Sequence, residues 1–147
     1  MKKTLFLMLN ISLFLVSYSN NNDTELKMLR ESFSINLDNS NSIPMVMDRT
    51  ETGTAYIILV GAKMFYKVII NDLDPTDAIA AGHIHNGASS ANGGVLLNLD
   101  MTNTAQLIST KSLTLSAENQ TKVTNDALYV NIHSTKVASG LLRSQIR

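Results

Sequence analysis

The sequence predicts an all-β protein, an antiparallel sandwich or barrel. Three observations carry this: apolar and polar residues alternate in short runs, the runs are evenly spaced, and Gly, Asn and Asp stand between them. Phe33, Ile35 and Leu37 alternate with Ser34 and Asn36, the period of two that marks a strand with one buried face. "TGTAYIILV" and "KMFYKVII" follow, rich in β-branched and aromatic residues and parted by Gly61-Ala62, a spacing that suits a tight hairpin. "NDLDPTD" then brings acids and Pro75 to a turn. Further strands are expected at Ile79–His85, Val95–Asp100, Ser112–Leu115, Ala127–His133 and Leu141–Ile146. Only "SAENQTKVTND" has the composition of a short helix, with Ser116 as its N-cap.

Composition narrows the function classes. The chain has 147 residues, enough for one domain plus a short extra segment. It contains no cysteine, which excludes disulfide frameworks, thiolate zinc sites and cysteine nucleophiles. Twelve basic side chains balance twelve acidic ones, so the charge that marks nucleic-acid binders is missing. The absence of tryptophan removes the best stacking platform for bases or sugar rings.

The N-terminus has an export pattern. Lys2 and Lys3 precede an apolar run from Leu5 to Val16, and Ser17-Tyr18-Ser19 places small residues three and one before a cut after Ser19. The run is shorter than the roughly 20 residues of a spanning helix, so residues 1–19 are read as a signal peptide and no stable membrane anchor is expected. "LVSYSNNND" also resembles a lipoprotein signal with Tyr18 at the acceptor cysteine position, and a phenol cannot form the thioether. Removing Lys2 and Lys3 leaves ten basic against twelve acidic groups, a formal net charge of −2. The expected product is secreted or periplasmic and unlipidated, with residues 20–30 a flexible arm and 31–147 the folded domain.

"AGHIHNGASSANGGVLLNLD" and "LYVNIHSTKVASGLLRSQIR" carry a resemblance. Together they resemble the CHRD domain, named for chordin and found also in bacterial exported proteins. "FSINLDNSNSIPMVMDRTETGTA" is similar to that domain's opening strand, Pro-containing segment and Thr-Gly turn, so the likeness covers about residues 31 to 147. The motif residues are His83, His85, Asn86 and Gly87 in the first stretch, and Tyr129, Asn131, His133, Gly140 and Arg143 in the second. The family usually ends near Gly-Glu-Ile-Arg-Gly-Gln, whereas here Leu141 replaces the acid and Ser144 the second glycine. The resemblance implies an immunoglobulin-like β-sandwich and no known enzymatic activity.

The histidines are the candidate site. Residues i and i+2 of a strand leave the same face, so His83 and His85 point one way and Ile84 the other. Tyr129, Asn131 and His133 share a face in the same manner, opposite Val130 and Ile132. With Ile84 and Ile132 in the core, all three histidines project from the outer face. If their strands are neighbours, the imidazoles meet in one patch, the ligand set of a three-histidine zinc or copper site. The reading preferred from sequence is a structural one, in which ring nitrogens bonded to backbone groups pin the loop Asn86–Gly94; coordination is the second. Ring nitrogens on the order of 3–4 Å apart would fit shared coordination, whereas rings bonded to backbone groups would not.

Other residues point to structure. Asp72, Asp74 and Asp77 lack the calcium-loop spacing and read as a turn with solvated acids. Arg143 shares a face with Leu141 and Gln145 and is read as the planar partner of a carboxylate or of carbonyls at the strand rim. No catalytic residue is singled out, since no phosphate loop, dinucleotide fingerprint or paired-carboxylate motif occurs. Two functions follow from the sequence. The first is an exported non-catalytic binding module whose partner is an extracellular or periplasmic protein or a glycan; the second is a zinc- or copper-binding protein with redox or hydrolytic chemistry.

Overall fold

The computed structural model describes residues 29–101 and 109–147. The expected signal peptide 1–19, with Tyr18 and the cleavage position, and most of the expected arm lie outside these residues. Among the described residues no helix is long and apolar enough to cross a membrane.

The fold is all-β and antiparallel, as expected. Its strands are β1 (Leu29–Asp38), β2 (Thr52–Val60), β3 (Lys63–Asn71), β4 (Ile79–Asn86), β5 (Val95–Leu99), β6 (Lys111–Thr114), β7 (Leu128–Ser134) and β8 (Leu142–Gln145). They form one sheet in the order β5-β4-β7-β8-β1-β2-β3-β6, curled into a half-barrel. Between β8 and β1 the register rests on the single pair Asp38–Arg143, whereas β1 and β2 pair along nearly their whole length. The sheet therefore consists of two four-stranded halves joined at a narrow seam, and one apolar core lies between them. β1 begins at Leu29, inside the segment expected to be an arm, and pairs from there with Val60.

Alternation decides the faces. Ala55, Ile57 and Leu59 of β2 are buried opposite Val68, Tyr66 and Met64 of β3, while Tyr56 and Ile58 face solvent. In the other half, Ile84 of β4 pairs with Val130 of β7 and Leu97 of β5, and Ile132 pairs with Leu142 of β8. Ile84 and Ile132 are 1% and 0% exposed, so both are core residues and the motif polar groups take the opposite face. Helix α1 (Ala117–Asn125) closes one edge of the core through Val123. The Ser116 hydroxyl caps it by accepting from the Asn119 N–H at 3.1 Å.

The acid cluster departs from expectation at one position. Asp74 does cap a turn, accepting from the Thr76 N–H and hydroxyl. Asp77, expected to be solvated, has a fully buried side chain that pairs with Arg49 at 2.8 Å. It also accepts from the Ser134 and Thr135 hydroxyls and from the Ala78 and Lys136 amides. Burial works to raise its pKa, but these bonds outweigh it and hold the carboxyl far below the ordinary range. Apart from the adjacent Ala78, the partners come from segments far apart in sequence, so spacing within "NDLDPTD" carries no trace of them.

Candidate three-histidine site

Register brings the two motifs together. β4 and β7 pair so that His83 faces Asn131, His85 faces Tyr129 and Ala81 faces His133. His133 is then the diagonal neighbour of His83 on the outer face, within reach of a ring. His83 Nδ1 lies 3.1 Å from His133 Nε2, and one ligand atom from each of the three histidines falls within 4.8 Å of the others. Among the described residues, this is the group of three or more metal-ligating side chains close enough to hold one ion.

Two loops fold over this face and change its character. β7 is buried on both sides, although its outer residues are polar. The segment Gly87–Gly94 covers Tyr129 and His85, leaving His85 only 8% exposed. The His85 Nδ1–H donates to the Gly93 carbonyl at 2.9 Å, and the His133 Nδ1–H donates to the Ala138 carbonyl at 2.8 Å. A carbonyl only accepts, so in both rings Nδ1 holds the proton and Nε2 carries the lone pair. His133 Nε2 then accepts from His83 Nδ1–H and from the Asn131 side-chain amide at 3.3 Å. His85 Nε2 is buried and has no hydrogen-bond partner.

Burial, and then the neighbouring histidines, push the His83 pKa down. The same burial lowers that of His85 against the Gly93 hydrogen bond, with His133 and Arg143 adding to the effect. Both rings are thus biased to the neutral form, the form that binds metals. Against the 3–4 Å spacing expected for shared coordination, the His83–His133 pair at 3.1 Å fits and the set as a whole, at up to 4.8 Å, is wider, while two of the rings are bonded to backbone carbonyls. Each imidazole has two nitrogens; in His133 Nδ1 serves the backbone while Nε2 meets His83, and in His85 Nδ1 serves the backbone while Nε2 is buried without a hydrogen-bond partner.

The remaining motif residues build the cover. The His85 ring stacks on the Tyr129 ring with centroids 4.8 Å apart, and the Arg143 guanidinium carbon lies 3.7 Å from the Tyr129 centroid. The Tyr129 hydroxyl accepts from the Gly93 N–H at 2.9 Å. Arg143, 2% exposed, donates to Asn92 Oδ1, Ala91 O and Ala88 O at 2.8, 2.7 and 3.1 Å, so of its two expected partners it takes the carbonyls. Asn86 turns its side chain to Asp126, and the Gly87 N–H donates to Ala127 O. Gly140, at φ +128°, lies against the Asn131 amide, where a Cβ would stand 2.4 Å from Oδ1.

Sequence reasoning missed Gly93, Asn92 and Ala138. Gly93 had a signal in the glycine-rich loop: a Cβ there would come within 1.6 Å of the Asn86 carbonyl oxygen. Ala138 acts through its backbone alone, so its residue type carries no signal.

The paired motifs, now seen as one constellation, agree with a family comparison: the model of the CHRD domain matches residues 33–146. The chain belongs to the CHRD family. No curated protein and no solved structure matches it. Nearly the whole described fold is the CHRD domain, whose membership points to a non-enzymatic binding module, and the three histidines of its two motifs stand close together.

Proposed function

We propose that this CHRD-domain protein is an exported, non-catalytic binding module whose ligand is a zinc or copper ion held by His83, His85 and His133. The observation that carries the reading is the buried, unpartnered Nε2 of His85 in a cluster whose ligand atoms lie within 4.8 Å of one another. A buried acceptor without a donor is costly, and an ion is one of the few partners that satisfies a lone pair in so small a space. Tetrahedral bonds of about 2.0–2.1 Å set nitrogens about 3.3–3.4 Å apart. The 3.1 Å pair is within about 0.3 Å of that spacing, and pairs as wide as 4.8 Å close to it through about 1.4 Å of ring movement.

The outer contacts are those of a metal ligand set. His85 and His133 each donate Nδ1–H to a backbone carbonyl, which fixes the tautomer that leaves Nε2 for the ion. His83 carries its proton on Nδ1 in the His83–His133 hydrogen bond, and on coordination through Nδ1 it holds that proton on Nε2 instead. The N-terminal pattern of Lys2-Lys3 and an apolar run supports the exported part of the reading.

The test is a thermal scan of untagged protein with and without zinc or copper. Metal at 100 times its dissociation constant stabilises the fold by about 2.7 kcal/mol, and alanine at any of the three histidines abolishes the gain. A melting temperature indifferent to both metals refutes the reading and leaves the histidines as loop anchors.

A further inference from the structure

We propose that Asn131 is the fourth ligand of the three-histidine centre, coordinating the ion through its amide oxygen; the proposal rests on the reading of the histidines given above. Asn131 is 7% exposed and sits between His83 on β4 and Arg143 on β8, on the outer face it shares with His133. Its Nδ2 lies 3.3 Å from His133 Nε2. That separation equals the edge of a tetrahedron with bonds of about 2.0–2.1 Å, so from His133 the amide terminus stands at the spacing of a neighbouring vertex.

The other end of the amide is the second observation. Asn131 Oδ1 is buried and accepts no hydrogen bond. A half-turn about Cβ–Cγ exchanges the two ends of the group without moving any other atom. Coordination supplies the reason for that turn: once His133 Nε2 gives its lone pair to the ion, it no longer accepts from the Asn131 N–H. Oδ1 then takes the vertex and brings an oxygen donor to the cation. Gly140 makes room for the amide, since a Cβ there would fall 2.4–2.9 Å from Oδ1, Nδ2 and Cγ. Arg143, the charged neighbour on β8, has its guanidinium turned to Asn92 and the carbonyls of the covering loop, and donates nothing to Asn131 Oδ1.

The experiment titrates the full chain with Co²⁺ followed by visible absorption, and with Zn²⁺ by calorimetry, using the wild type, Asn131→Leu and Asn131→Asp. Asn131→Leu removes both ends of the amide at similar volume and is expected to weaken zinc at least tenfold and to change the Co²⁺ d–d bands as water replaces a protein oxygen. Asn131→Asp keeps an oxygen at the vertex and is expected to bind as tightly as wild type or more tightly, which also controls for folding. If Asn131→Leu binds within twofold of wild type with an unchanged spectrum, Asn131 is no ligand although the histidine reading stands. If both variants weaken alike, the N–H and not the oxygen matters, and the proposal fails. If the wild type binds neither ion, the fourth-ligand proposal falls, and the histidine reading falls with it once copper too leaves the melting temperature unchanged.

Discussion

Replacing Arg143 with methionine tests how the cover over the histidines is held. The guanidinium makes three hydrogen bonds of 2.7–3.1 Å to the loop, and bonds from a charged donor contribute about 1.5–3 kcal/mol each. Two effects reduce the sum. Ala88, Ala91 and Asn92 are exposed residues, so their freed acceptors regain water. Arg143 also makes no ion pair among the described residues, so its burial carries a desolvation cost that methionine removes. Loss of the Tyr129 contact adds about 0.5–2 kcal/mol in the other direction. The balance is a global destabilisation of about 2–4 kcal/mol, read from urea denaturation, with a larger local effect in the covering loop. Hydrogen exchange should show the Gly93 and Ala91 amides, which donate to Tyr129 and Ala88, losing protection first. A change below about 0.5 kcal/mol, with loop protection intact, would mean that the loop is held by other contacts and Arg143 is dispensable to the cover.

Asp77→Asn should remove part of the acid sensitivity of the fold. The Asp77 pKa is depressed in the folded state, so its contribution is complete above the unfolded carboxyl value of about 3.9 and is lost as pH falls toward the lower folded value. Stability from urea melts at pH 7 and pH 3 should therefore differ less in the variant, and an unchanged difference would assign acid unfolding to other groups. Ile132→Ala should destabilise by about 2–4 kcal/mol, because Ile132 is fully buried between Gly82 of β4 and Leu142 of β8; calorimetric unfolding checks it, and a loss under about 0.5 kcal/mol would contradict the face assignment. Mass spectrometry of protein recovered from its native envelope should find an N-terminus near Asn20 with no lipid; a retained apolar run in the membrane fraction would overturn the export reading.

Much of this architecture was legible because strand alternation is a local property. "HIH" and "YVNIH" each place alternate residues on opposite faces, and that was enough to put Ile84 and Ile132 in the core and the histidines on the other side. What local pattern cannot carry is what covers an outer face. β7 is buried on both sides because Gly87–Gly94 and the turn through Ala138 fold over it, and those contacts run through backbone carbonyls. Asp77 shows the same gap: its partners Arg49 and Ser134 lie 28 and 57 residues away. For Arg143 the sequence leaves a carboxylate and carbonyls equally open, and only the path of the covering loop decides between them. Of the two roles weighed for the histidines, the structural one is visible at Nδ1 of His85 and His133, and it leaves the second nitrogen of each ring outside those backbone bonds.

The measurement closest to the central claim is the ¹⁵N chemical shift of the three imidazoles during a zinc titration. The account predicts saturation at one ion per chain, with coordination shifts at His85 Nε2, His133 Nε2 and His83 Nδ1 while His85 Nδ1–H and His133 Nδ1–H keep their backbone bonds. Ring nitrogens unmoved by a molar excess of zinc, with His83 Nδ1–H still bonded to His133 Nε2, would contradict it.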